Sequence, residues 1–160
     1  MSTTNRLFTT FQFKRLSTKY YHQKPTFNLI QYQSYLFNTN NIGFESLNDY
    51  HIISDKTLDI ITNECENFFD LINDDQFDYK TASGVLNISF PNIGTFVINK
   101  QAPNEQIWLS SPISGPNRFD YNKNDNKWIS ARNNDQTLKE LLEHEFSNIM
   151  KHDIQFPEQF

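Results

Sequence analysis

Between Ser46 and Ile72, apolar residues recur at the spacing of a helix with one buried face. At about 100° per residue, six apolar side chains share one arc of the helix about 100° wide. They are Leu58, Ile61, Cys65, Phe68, Phe69 and Ile72. Ser46 or Asn48 can cap its first turn. The pattern therefore predicts a helix over residues 46–72 and places Cys65 in the core.

From Val85 onward the apolar spacing changes to every second residue, which is the period of a strand with one buried face. Leu86, Ile88 and Phe90 share one side of the first such segment. Four more segments of strand character follow at residues 95–100, 106–111, 118–121 and 127–130. Because the connections between them are short, the sheet is predicted to be mainly antiparallel.

A second amphipathic helix is predicted from a cap at Asp135 or Thr137 to about Lys151. The tail after it, residues 153–160, carries Ile154, Phe156 and Phe160 and is expected to pack between the two helices. The order of helix, five or six strands and helix predicts an α+β two-layer sandwich, with both helices on one face of the sheet.

Trp108 lies in the strand 106–111. The alternation puts its side chain on the other face of the strand from Ile107 and Leu109. If those two residues face the helices, Trp108 points from the open face of the sheet, beside Gln106 and Ser110. A tryptophan exposed among polar groups is typical of a binding hot spot. The alternative is an ordinary buried tryptophan.

Charge is distributed unevenly along the 160 residues. Five of the 14 basic residues lie in residues 1–44, which contain no Asp or Glu. The rest of the chain therefore contains nine basic and all 19 acidic residues and is strongly acidic. A basic, Ser/Thr-rich, acid-free N-terminus is typical of a mitochondrial transit peptide, and a disordered basic tail is the alternative. We therefore divide the chain into such a segment at residues 1–45 and a domain at residues 46–160.

The exposed side of the first helix carries acidic residues within about 60° of one another. They are Asp55, Asp59, Glu66 and Asp70, and the run continues at Asp74, Asp75 and Asp78. One interpretation is a solvated face that keeps the protein soluble. The other is a ridge that binds a hard cation such as Fe(II) weakly through carboxylate oxygens. His51 is either a nitrogen ligand near the start of the helix or a solvated residue.

The composition also argues against several classes of function. A net charge of −5 makes nucleic acid an unfavourable partner. A single cysteine allows neither an intramolecular disulfide nor a thiolate metal site. No stretch of about 18 apolar residues is present, so no membrane span is expected.

The stretch from Gly94 to Tyr121 carries a long motif that resembles the signature of the frataxin family. The matching residues are Gly94-Thr95, Val97-Ile98-Asn99-Lys100-Gln101, Pro103-Asn104, Gln106-Ile107-Trp108-Leu109-Ser110-Ser111-Pro112, Ser114-Gly115-Pro116 and Arg118. The chain departs from the family at Glu105, where a lysine is common, and at Asn63, where an acid would extend the ridge. The resemblance continues more weakly from about Ser46 to about Met150.

The resemblance implies a mitochondrial matrix protein that binds Fe(II) weakly and promotes iron–sulfur cluster assembly. Its partners would be a cysteine desulfurase and an iron–sulfur scaffold protein. They would contact the matching residues on the sheet, which are Asn99, Lys100, Gln101, Gln106, Trp108 and Arg118. A monomer is expected, with iron-dependent oligomers as the alternative.

Two other functions remain open. One is enzymatic, the oxidation of Fe(II) to Fe(III) by oxygen with mineral storage, which is also credited to the family. The other is an acidic adaptor without a metal role. The sequence contains no Glu-x-x-His pair of the di-iron type, no hydrolase triad and no phosphate-binding loop.

Overall fold

A computed structural model describes residues 41–72, 77–158 and 160, without the side chains of residues 69–72. Helix α1 spans Leu47–Ile72 and helix α2 spans Leu138–Met150. Between them lie strands β1 (Asp78–Ala82), β2 (Val85–Phe90), β3 (Gly94–Gln101), β4 (Gln106–Ser111), β5 (Gly115–Asn122) and β6 (Lys127–Ser130). A short 3₁₀ helix, Ala102–Asn104, connects β3 and β4.

The six strands form one antiparallel sheet in the order of the chain, β1 to β6. Alternate residues of β2 to β6 are buried and belong to one hydrophobic core with the apolar faces of both helices. The predicted two-layer α+β sandwich is confirmed, and so is the burial of Cys65. No helix in the described residues is long and apolar enough to cross a membrane.

Large aromatic rings hold the two layers together. The ring of Phe146 on α2 lies 5.5 Å from that of Phe68 on α1 and 5.0 Å from that of Phe96 on β3. Trp128 on β6 is 1% exposed, and its indole Nε1 donates to Thr57 Oγ1 on α1 at 2.9 Å. The core thus uses ring area where the fraction of aliphatic residues is low.

Helix α2 begins with a capping box. Thr137 accepts a hydrogen bond from the Glu140 backbone N–H, and the Glu140 carboxylate accepts from the Thr137 N–H. The tail after α2 packs on the helices as predicted. Phe156 N–H donates to the Glu143 carboxylate at 2.7 Å, and the buried Phe160 lines a cleft beside Ile53 of α1.

Residues 41–44 also pack against the sheet. Gly43 N–H donates to Tyr121 O and Lys123 N–H donates to Asn41 O, both at 2.9 Å. The ring of Phe44 stacks on that of Tyr121 at 4.9 Å. The segment that we assigned to the N-terminal region therefore contributes its last residues to the folded body.

Candidate functional site

The open face of the sheet carries a row of side chains that crosses three neighbouring strands. Antiparallel pairing sets Asn99 on β3 opposite Trp108 on β4, and Trp108 opposite Arg118 on β5. Their chain neighbours Ile98, Leu109 and Phe119 are buried in the core. The alternation of the strands therefore turns Asn99, Trp108 and Arg118 away from the helices, as predicted.

Trp108 is held in place by polar contacts on both sides, although it is only partly buried. Its Nε1–H donates to Gln106 Oε1 at 2.9 Å, and Gln106 Nε2 donates to Asp120 Oδ1 at 2.7 Å. The guanidinium carbon of Arg118 lies 4.7 Å from the centre of the indole ring, which is a cation–π distance. An aromatic side chain that is already oriented loses little conformational entropy when a partner covers it.

Gln101 and Gln106 extend this surface at the end of the strands, where they are register partners. Lys100 does not belong to it. Lys100 shares the face of Ile98 and Phe96, its side chain is 12% exposed, and it forms an ion pair with Asp55 of α1. The structure brings five of the six expected partner residues to the open face and places Lys100 on the helix face.

A groove of about 520 Å³ runs along this face beside Trp108. Val97, Asn99 and Pro116 line it together with Trp108 and Arg118, and the loop after β6 closes its other side with Ala131 and Arg132. Sequence reasoning did not find the loop residues, because only the pairing of β5 with β6 brings them next to Arg118. Asp120 was also missed, although it lies two residues after Arg118 on the same face.

Three of the candidate ridge residues on α1, Asp55, Asp59 and Glu66, have described side chains, and all three are exposed. Asp55 is engaged by Lys100. Asp78 opens β1, where it pairs with Ser89 and forms a 2.8 Å ion pair with Lys80, so it lies on the open face and not with the helix. Within the described residues, no three His, Cys, Asp or Glu side chains converge as a metal site would require.

The three remaining acidic candidates lie at or beyond the end of α1. Asp74 and Asp75 lie outside the described residues, and for Asp70 only the helical backbone is described.

His51 is half-buried, and its ring packs against Tyr50 at 5.3 Å. Tyr50 itself is buried and donates to Gln106 O at 3.0 Å, and burial raises the pKa of its hydroxyl. Its place in the core ties the start of α1 to the strand that carries Trp108.

These features define a two-layer α+β protein with an acidic helix edge and a preorganised aromatic surface on the open sheet face. The family model of the frataxin-like domain matches residues 44–152. The chain belongs to the frataxin family.

The relatives agree with this assignment. A mitochondrial frataxin of Arabidopsis thaliana is 38% identical over 107 residues, which are 67% of this chain and 57% of the relative. A mitochondrial frataxin homolog of Schizosaccharomyces pombe is 38% identical over 108 residues, 68% of each chain. The chain thus spans little more than half the length of the first relative. The names of these proteins agree with the predicted mitochondrial location.

Solved structures show the same fold. A trimeric frataxin from Saccharomyces cerevisiae, complexed with ferrous ion, aligns with a TM-score of 0.56 at 38% identity. It covers 62% of this chain and 86% of the yeast chain. A second yeast frataxin structure gives a TM-score of 0.57 at the same identity, with 67% of this chain covered and 85% of the yeast chain.

Proposed function

We propose that this protein acts in the mitochondrial matrix, where it activates a cysteine desulfurase–scaffold complex during iron–sulfur cluster assembly. The docking surface is the open sheet face around Trp108, with Asn99, Gln101, Gln106 and Arg118. The part of residues 1–45 that precedes the packed segment 41–44 directs the chain to the organelle. Lys100 acts from the other face of the same strand and contributes through its position beside Asp55.

The observation that carries this proposal is the state of Trp108. Covering a partly exposed aromatic ring with a partner removes apolar surface from water, which favours binding. Its indole N–H is already bonded to Gln106, and Arg118 already lies against its face. Aromatic and arginine side chains in this arrangement are the residues that dominate protein–protein interfaces.

Fe(II) is the proposed cargo of the acidic edge of α1. Asp59 and Glu66 are exposed and take part in none of the ion pairs found among the described residues, whereas Asp55 is paired with Lys100. Separate carboxylates on a helix surface bind a hard cation with few protein ligands and leave most of its water in place. Such binding is weak and reversible, which suits delivery of iron to a partner better than storage.

The test is sulfide and cluster production by a purified desulfurase–scaffold complex with and without the protein. Trp108→Ala should reduce the stimulation by about tenfold or more, because a hot-spot side chain contributes 2 kcal/mol or more. Asn87→Ala changes the same open face on β2 outside the groove and serves as the matched control. Full stimulation by the Trp108→Ala protein would contradict the proposal.

The same protein samples also test the alternative function, the oxidation of Fe(II) to Fe(III). Oxygen consumption on addition of Fe(II), lost when Asp59→Asn and Glu66→Gln are combined, would favour ferroxidase activity on the acidic edge. If the complex is not stimulated while this consumption persists, iron oxidation replaces activation as the function.

A further inference from the structure

Among the described residues that line the groove beside Trp108 there are two arginines and no acid. Arg118 and Arg132 are both exposed, and no Asp or Glu lines the groove. In the part of the chain that the structure describes, neither arginine forms an ion pair, whereas Lys80, Lys100 and Lys139 all do. The protein is acidic overall, with 19 acidic and 14 basic residues, so this local excess of positive charge is not an average property of its surface.

The second arginine is held next to the first by the backbone. Ala131 N–H donates to Arg118 O at 2.8 Å, which extends the β5–β6 pairing by one step. The buried Ser130 hydroxyl then accepts from the N–H groups of Arg132 and Asn133, both at 3.2 Å, and donates to Asn117 Oδ1 at 3.1 Å. The loop backbone at Arg132 is therefore fixed from within the fold.

The groove also has apolar lining residues beside its two arginines. Val97 and Pro116 are apolar, and both pair with Ser110, one step along the open face from the row of Asn99, Trp108 and Arg118. A guanidinium group offers a planar fork of N–H donors that matches a carboxylate with two parallel hydrogen bonds. The groove thus combines carboxylate-binding forks with an apolar wall.

We propose that this groove binds an acidic segment of the partner complex, with Arg118 and Arg132 each pairing with a carboxylate and Trp108 covering an adjacent apolar side chain. Arg132 is then a specificity-determining residue that the frataxin-like signature does not include. The inference rests on the proposed function, because the groove is continuous with the docking surface around Asn99 and Trp108. A second copy of this chain, offering the acidic edge of α1, is the competing occupant.

The experiment measures binding of full-chain variants to the purified desulfurase–scaffold complex at about 50 mM and about 300 mM salt, conditions that differ in electrostatic screening. Arg132→Glu should weaken binding about tenfold at low salt and less at high salt, since charges at the edge of an interface act through long-range attraction. Arg132→Lys should weaken it about threefold, because an ammonium group lacks the fork. Lys151→Glu, the same charge change on the helix layer, should stay within about twofold of the wild type.

The outcomes separate this inference from the function on which it rests. If the Arg132→Glu protein binds the complex as tightly as the wild type does, while Trp108→Ala still reduces stimulation, the acidic-segment proposal is overturned and the activator function stands. Equal weakening by Lys151→Glu would also overturn it, because net charge alone would then explain the effect. A wild-type protein that does not bind the complex would overturn both. If Arg132→Glu changes only the sedimentation of the protein alone, the groove serves self-association and the proposal is wrong.

Discussion

At the scale of single residues, the two tryptophans show that strand alternation can give the same residue type two different roles, one in the core and one on the surface. Trp128 is buried between β6 and α1 and donates to Thr57, whereas Trp108 lies on the open face. Trp128→Ala should lower the free energy of unfolding by about 3–5 kcal/mol, because it opens a cavity in the core. Trp108→Ala should lower it by less than about 1 kcal/mol, as expected of a surface substitution.

Denaturant unfolding of the two variants measures this contrast directly. The activation assay with Trp108→Ala can be interpreted only if that variant keeps most of its stability. A loss near that of Trp128→Ala would show that Trp108 supports the fold, and the hot-spot interpretation would then lose its basis.

Cys65 provides a pH-dependent prediction at the same scale. Burial, with a smaller contribution from Glu64, raises the pKa of the Cys65 thiol from 9.0 to about 12. Above pH 9 the unfolded chain loses a proton that the folded chain keeps, so stability falls as the pH rises from 9 toward 12. Each unit of pKa difference corresponds to about 1.4 kcal/mol.

Between pH 7 and pH 10.5, the wild type should therefore lose about 1–2 kcal/mol more of its unfolding free energy than Cys65→Ala does. The comparison of two slopes removes the constant effect of the substitution, and the raised pKa values of Tyr50 and Tyr121 affect both proteins equally. Parallel stability curves would mean that the thiol ionises in the folded protein.

At the scale of elements, the short segment before α1 is a structural part of the domain. Phe44 packs on Tyr121, Tyr50 and Trp128 with ring centres at 4.9, 5.4 and 5.7 Å. Its N–H donates to the Glu105 carboxylate at 3.4 Å. We expect Phe44→Ala to lower the unfolding free energy by about 1–2 kcal/mol, because the ring is partly buried against the core.

Leu47→Ala is the matched control, because this neighbour is 51% exposed and its truncation should change stability by less than about 0.5 kcal/mol. Thermal or denaturant unfolding checks both. Similar losses in the two variants would indicate that residues 41–44 contribute no specific packing, and the domain would then begin near Ser46 as its sequence suggests.

The elements that the sequence predicted well are those with a strong apolar period or a cap. Helix α1 was expected at residues 46–72 and spans Leu47–Ile72, and the Thr137 cap marks the start of α2. Strand β1, residues 78–82, is not among the strand segments that the sequence predicts. All but one of its residues are exposed at the sheet edge, so no alternation is visible. The signal was the Ser83-Gly84 turn, where both residues have positive φ values of 51° and 77°.

At the scale of the whole molecule, the candidate site was predictable as far as it follows strand alternation. The open-face row of Asn99, Trp108 and Arg118 came from that rule. The family resemblance put Lys100 on the same surface together with its sequence neighbours Asn99 and Gln101, yet alternation puts Lys100 with Ile98 on the helix face. Arg132 required knowledge of tertiary pairing. Contiguity in sequence is therefore a poorer guide to a shared surface than parity within a strand.

The position of Lys100 links the acidic edge of α1 to the strand that carries the docking surface. Its ammonium group is ion-paired with Asp55, so a metal ion that bound Asp55 as proposed would have to displace it. Lys100→Met should therefore raise the affinity of the acidic edge for Fe(II), or for Mn(II) as an air-stable probe. We expect about a two- to fivefold increase, since partly exposed ion pairs contribute about 0.2–1 kcal/mol.

Lys139→Met is the matched control, because it removes an equally paired lysine from α2, where Lys139 Nζ lies 2.7 Å from Glu143 Oε1. Both substitutions change the net charge by the same amount, so long-range attraction of the metal increases equally in the two variants. Paramagnetic broadening of the amide signals of Asp55 and Asp59 during a Mn(II) titration measures the local affinity. If Lys100→Met raises the local Mn(II) affinity more than Lys139→Met does, Lys100 competes directly with the metal at Asp55. Equal responses would instead show that Asp55 is not a ligand, and the cation would then bind farther along α1, toward Glu66.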